Sequence, residues 1–188
     1  MRIQEEKQMK YYADYYESPI GKLMLAAGEQ GLAGIWIEGQ KYFADSLKEQ
    51  SMIWEDHALL QPAKDWLDRY FAGEKPRAEE IALAPLGGAF RQAVWRILCR
   101  IPYGQTMTYG QIAKEIALQL QRPGMSAQAV GGAVGHNPIS ILIPCHRVVG
   151  ANGSLTGYAG GIDKKIWLLQ HEGVDLSHFT IPKKGTAL

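Results

Sequence analysis

Cysteine is scarce: Cys99 and Cys145 are the only two in 188 residues, which excludes a disulfide framework and a closed cysteine-rich zinc site. Long hydrophobic runs are missing too. The apolar segment Ile139–Ile143 is far shorter than the roughly 20 residues that span a bilayer. Met1–Glu17 is polar and tyrosine-rich, without the charged start and apolar run of an export signal. Internal repeats and low-complexity tracts are also absent, so the expectation is a cytoplasmic protein with no membrane association. A content of 46% hydrophobic residues suffices to bury a core, in one domain or in two small ones packed together.

Acidic residues are few in the second half. Residues 1–85 carry 10 Lys+Arg against 15 Asp+Glu, a net of −5, whereas residues 86–188 carry 10 against 4, a net of +6. A basic half joined to an acidic half suggests that one face meets a polyanion.

The first half holds two strand-like runs, Gly21–Ala27 and Leu32–Ile37, which read as a hairpin with a four-residue loop, Gly28–Gly31. Leu60, Ala63, Trp66, Leu67 and Tyr70 recur at helical spacing over Leu59–Phe71, with Gly73 as the stop. No acid, base or nucleophile is concentrated here, and residues 1–85 read as a structural α+β domain. The composition changes at Ala84–Gly88, and residues 86–188 form the second domain.

That second half reads as a helix over Phe90–Ile101, then a helix opened by a Thr108/Gln111 capping box, then a helix over Ala127–Gly135 capped by Ser126. The last pair resembles a helix-turn-helix with a long connection. A final helix starts from Asp163 as N-cap and stops at Gly173. The glycines of AQAVGGAVG each cost about 1 kcal/mol in a helix interior, so something approaches that backbone closely: another helix, or the sugar-phosphate surface of a DNA groove.

The two cysteines differ in company. Cys99 lies in an apolar-periodic run and reads as a small buried hydrophobe. Cys145 follows Pro144 and precedes His146 and Arg147, where a neighbouring cation or proton acceptor lowers a thiol pKa. Adjacent side chains of an extended segment point to opposite faces. His146 therefore reaches the sulfur only if the backbone turns or a water relays the proton. Among the few carboxylates available to orient His146, Glu172 stands at the negative pole of the last helix, where a carboxylate is disfavoured without a partner.

PCHRVV, preceded by GGAVGHNP and followed by GSLTGYAGG and LLQHEG, resembles the O6-alkylguanine-DNA alkyltransferases, the methylated-DNA–protein-cysteine methyltransferases, from about Phe90 to Gly173. The resemblance implies an α+β fold, with a small RNase H-like N-terminal domain followed by a helical, winged-helix or helix-turn-helix-like C-terminal domain. It also implies a stoichiometric, irreversible transfer of the alkyl group of O6-alkylguanine, with O4-alkylthymine an open second substrate. Cys145 would accept the alkyl group, His146 would activate it through a water, Glu172 would orient His146, Asn137 would bridge these parts, and Tyr109 would help the purine leave. Val148, Gly157, Tyr158, Ala159 and Lys165 would form the base pocket. Tyr109, Ser126, Ala127, Gln128, Arg147 and Ala151 would meet double-stranded DNA in the minor groove, although Arg147 is mainly structural in this family. A monomer without cofactor or metal is implied, since thiolate ligands for the N-terminal zinc of some relatives are lacking.

Two positions depart from the family pattern. Gln128 replaces the usual arginine that slides into the base stack as a nucleotide flips, and Ala159 stands where some members place a hydroxyl near O6. Two other readings compete: a cysteine hydrolase using Cys145, His146 and Glu172, and a lesion-binding or helix-turn-helix DNA-binding protein without chemistry.

Overall fold

A computed structural model describes residues 9–182. The first half builds a four-stranded sheet from β1 (Lys10–Ser18), β2 (Gly21–Gly28), β3 (Gly31–Ile37) and β4 (Ser51–Trp54), in the order β3-β2-β1-β4. Pairing is antiparallel except for β1 with β4. Tyr11 and Ala13 of β1 are buried on alternate positions, the period expected of a strand with one face in the core. The β2–β3 hairpin is tighter than the sequence suggests. Gly28 pairs with Gly31, so Glu29 and Gln30 alone form the loop.

Helix α1 (Gln61–Phe71) follows a single 3-10 turn and lays Ala63, Trp66, Leu67 and Tyr70 against the sheet. The second half contains α2 (Ala89–Leu98), the short strand β5 (Met107–Thr108), α3 (Tyr109–Gln119), α4 (Ala127–Gly135), the short strand β6 (Val148–Val149) and α5 (Ile162–His171). The reciprocal Thr108/Gln111 box opens α3, with Gln111 N–H donating to Thr108 Oγ1 at 3.1 Å and Thr108 N–H to Gln111 Oε1 at 2.7 Å. Ser126 Oγ accepts from Ala129 N–H at 3.0 Å and caps α4.

Two helix boundaries differ from expectation. α2 stops at Leu98, and Ile101 belongs to the following turn. α5 starts after Gly161, at φ 97°, so Asp163 sits in the first turn instead of capping it. An acidic residue there still faces the positive helix pole.

The two halves share one core, in which Leu25, Ile35, Trp66 and Tyr70 pack in the same cluster as Val94, Trp95, Ile112 and Ile139. The edge of β3 is covered partly by the end of its own half and partly by the second half. Leu32 pairs with Ala82 and Ala84, while Ile35 N–H donates to Pro138 O at 2.8 Å and Ser140 N–H donates to Ile35 O at 2.9 Å. The segment leading to Cys145 is thereby pinned to the sheet of the other half.

Candidate active site

The chain leaves α4 through His136 and Asn137, adds to the edge of β3 at 138–140, and passes Ile141 in a left-handed conformation at φ 74°. A β-branched residue at positive φ is strained. The strain is held by short-range hydrogen bonds, including Ile143 N–H to Ile139 O at 3.0 Å and Cys145 N–H to Ile143 O at 2.8 Å. Cys145–Arg147 then forms one 3-10 turn instead of continuing extended. The backbone turns here, but the turn does not bring the His146 ring into hydrogen-bond contact with the sulfur.

Asn137 ties this segment together. Its Oδ1 accepts from Ile139 N–H at 3.0 Å, and its Nδ2 donates to Ile143 O at 2.7 Å and to Cys145 Sγ at 3.1 Å. Burial pushes the Cys145 thiol up, and the Asn137 hydrogen bond and the Lys165 charge work against that. A thiol in this position needs a base to become a thiolate.

His146 is fully buried, and its Nε2 lies 2.7 Å from Glu172 Oε1. Burial lowers its pKa, with Arg147 and Lys165 adding to the effect, and outweighs the attraction of Glu172; the ring is neutral at rest. Burial pushes Glu172 up, but the hydrogen bond from His146 and the hydrogen bonds and charge of Arg147 overcome it and hold the carboxyl well below the usual range. The neutral ring bonded through Nε2 presents Nδ1, which has no partner among the described residues. No direct hydrogen bond joins His146 to Cys145 among the described residues, so the contact expected of a hydrolase Cys–His pair is missing.

Arg147 is turned inward. It is 8% exposed, its Nε and Nη2 donate to Glu172 at 2.8 and 2.9 Å, and its Nη1 donates to Ile101 O at 2.6 Å. The expected DNA contact is corrected: the guanidinium is spent on the buried carboxylate.

In front of the sulfur opens a cleft of about 460 Å³ lined by Tyr109, Val134, Gly135, Gly157, Tyr158 and Ala159, among others. Burial holds the Tyr109 phenol above its ordinary pKa, and its hydroxyl lies 3.4 Å from the carbonyls of Thr156 and Gly157. Val148 and Lys165, expected in the lining, stand behind it. Lys165 is fully buried and donates to Val148 O at 2.5 Å, Thr156 O at 2.8 Å and Gly157 O at 3.3 Å, fastening the pocket loop to β6. Burial brings its pKa down to about 8.

The first half contributes more than expected. Lys41 and Tyr42 line the same cleft, and Lys41 N–H donates to Ala159 O at 3.0 Å. No local motif marks these residues in the sequence. Cys99 is half-buried against the core, and burial raises its pKa to about 11, in line with an inert thiol.

Ser126, Ala127 and Gln128 are exposed at the start of α4, and Ala151 is exposed beyond β6. A Cβ added at Gly132 or Gly135 would meet open space, so a neighbouring helix does not explain these two glycines. Among the described residues no group of three or more His, Cys, Asp or Glu could hold a metal ion, and no helix is long and apolar enough to cross a membrane.

Two family models match the chain: the ribonuclease-like domain of 6-O-methylguanine DNA methyltransferase over residues 11–85 and the DNA-binding domain of the same family over residues 89–174. A methylated-DNA–protein-cysteine methyltransferase of Methanosarcina acetivorans is 46% identical over 165 residues, 87% of this chain and 98% of that one. The protein of that name from Haemophilus influenzae is 39% identical, over 87% of each chain. The crystal structure of a Mycobacterium tuberculosis O6-methylguanine methyltransferase superposes with a TM-score of 0.70 at 43% identity, covering 86% of this chain and 92% of that one. A crystal structure of the tuberculosis protein in complex with DNA aligns with the same TM-score, identity and coverage. Both halves of the chain are thus matched, and the chain belongs to the 6-O-methylguanine DNA methyltransferase family.

Proposed function

We propose that this chain repairs O6-alkylguanine in duplex DNA by moving the alkyl group onto Cys145 Sγ once and irreversibly. The observation that carries this reading is the Cys145 thiol at the base of the cleft, beside Asn137 Nδ2 and a neutral His146 whose Nε2 is fixed by Glu172.

The thiol proton passes through a water to His146 Nδ1, and Glu172 steadies the imidazolium that results. The thiolate attacks the alkyl carbon, the sulfur–carbon bond forms, and the carbon–O6 bond breaks. Guanine leaves as an anion and is reprotonated at the ring with the help of Tyr109, so the proton lost by the thiol is balanced by the one the base regains. The thioether has no group nearby able to cleave it.

The paired O6 atom lies inside the duplex, so the nucleotide swings out into the cleft. The exposed glycine face of α4 lets its backbone approach the minor groove, and the Ser126 end presents Gln128 to the stack. Tyr109 and the exposed Ala151 are taken to meet the DNA as well. Residues 1–85 scaffold the site and residues 86–188 carry the DNA-binding and acceptor work. The relay is complete within this chain and needs no second subunit, as a monomer would require, and a nucleophile that must stay a free thiol supports the cytoplasm.

Incubation with a duplex carrying O6-methylguanine, followed by peptide mass mapping, tests the reading. The expected result is one methyl group per chain, on Cys145 and not Cys99. Continuous turnover, or transfer by Cys145→Ala, would overturn it.

A further inference from the structure

Glu172 accepts more hydrogen bonds than holding His146 requires. Oε1 takes His146 Nε2 at 2.7 Å, Arg147 Nη2 at 2.9 Å and the Tyr70 hydroxyl at 2.8 Å. Oε2 takes Arg147 Nε at 2.8 Å and the Gly104 N–H at 3.1 Å. A carboxylate offers about four lone-pair sites, so these donors saturate it. Tyr70 is the one donor among them from the first half, placed by α1 and separated by 102 residues from its acceptor.

We propose that Tyr70 is a positioning residue of the transfer reaction, fixing Glu172 Oε1 against His146 and tempering the negative charge that the imidazole feels. The inference rests on the relay described above. It gives the N-terminal half a direct hold on the chemistry, beyond walling the cleft.

The geometry suits this task. Tyr70 is fully buried, and its ring packs against Trp66, Phe71, Tyr103 and His171, so the hydroxyl has little freedom to turn away. His171 Nε2 lies 2.8 Å from the Tyr70 carbonyl oxygen, which locks the same residue to the end of α5 one position before Glu172. Burial and the Glu172 charge keep the phenol protonated, and it acts as donor only. Each donor on Oε1 takes a share of the charge that would otherwise stabilise a protonated His146. Without the hydroxyl, Oε1 would bind the imidazolium more strongly, and His146 would fill with a proton at a higher pH.

The charged and titratable groups acting on His146 are Glu172, Arg147 and Lys165, and those acting on the Tyr70 hydroxyl are Glu172, Arg147 and Tyr103. His171 bonds to the Tyr70 carbonyl, not the hydroxyl. All of these remain in Tyr70→Phe, so a change in pH dependence reports the lost hydroxyl.

The test is single-turnover transfer from free O6-benzylguanine to the full chain across a range of pH, with thermal melts alongside. In the wild-type protein the rate falls on the acid side as His146 protonates. Tyr70→Phe is expected to move that acid limb to higher pH by about half a unit, whatever its effect on the melting temperature. A monofluorinated tyrosine at position 70 keeps the shape and donates more strongly, and should move the limb to lower pH. A lower melting temperature with both limbs unmoved would reduce Tyr70 to packing and overturn the inference. Absence of transfer in the wild-type protein would instead overturn the proposed function.

Discussion

Asn137 Nδ2 lies 3.1 Å from Cys145 Sγ, while the same side chain closes hydrogen bonds to Ile139 N–H and Ile143 O. One amide therefore shapes the strained turn and offers the sulfur its nearest side-chain donor.

Asn137→Asp keeps the shape but puts an acceptor and a negative charge beside the sulfur. A hydrogen bond to a charged group is worth about 1.5–3 kcal/mol, so transfer should slow by roughly tenfold to a hundredfold. The Cys145 thiol should ionise at higher pH, as read from its rate of alkylation by iodoacetamide. Asn137→Ala should add a stability loss of about 1–3 kcal/mol from buried backbone groups left unpaired, measured by denaturant unfolding.

Glu172 makes a prediction about acid. Its folded pKa lies below that of an unfolded carboxyl, so its contribution to stability is present above the unfolded value, about 4.3, and fades as the pH falls toward the folded one. Glu172→Gln should lack that acid-dependent loss. At neutral pH it should cost about 3–5 kcal/mol, because the buried Arg147 guanidinium loses its counter-charge. Transfer should slow and the apparent Cys145 pKa rise, with DNA affinity little changed in the folded fraction. Unfolding curves at several pH values check the first claim, and a normal transfer rate would remove Glu172 from the relay.

Legibility in the sequence followed the range of each interaction. The Thr108/Gln111 box and the Ser126 cap are local, and both were readable from spacing. The first strand was not, because Asp14 and Glu17 break its apolar pattern and its parallel partner β4 lies a long crossover away. Arg147 beside the nucleophile suggests a phosphate contact when read alone. Its true partner is 25 residues on and shows only when α5 packs behind the Cys145 turn. Tyr70 reads as one more apolar position of an amphipathic helix, since a period marks which face is buried but not where a hydroxyl ends.

Lys165 separates pocket shape from DNA binding. Its three hydrogen bonds to Val148, Thr156 and Gly157 need the ammonium form. Lys165→Met fills the same space without a donor, so the 156–157 loop should loosen and transfer from free O6-benzylguanine should fall. Affinity for undamaged duplex should hold, since this side chain is fully buried. Equal losses in both measurements would mean that Lys165 supports the whole domain and not the pocket loop.

Gln128 tests the departure from the family pattern. It is exposed in the first turn of α4, two residues past the Ser126 cap, four and seven residues ahead of Gly132 and Gly135 and so on the helix face that they leave open. A glutamine there can fill a vacated stack and hydrogen-bond to the orphaned base, but it lacks the cation that a narrow minor groove attracts. Gln128→Arg should therefore bind duplex more tightly, with a steeper salt dependence from the added charge. It should also repair a base-paired lesion faster. Gln128→Ala should do the reverse on duplex. Neither change should alter reaction with free O6-benzylguanine, which needs no flipping. Equal duplex repair rates for all three proteins would show that Gln128 does not enter the stack, whereas a matching loss on the free base would place it in the pocket wall.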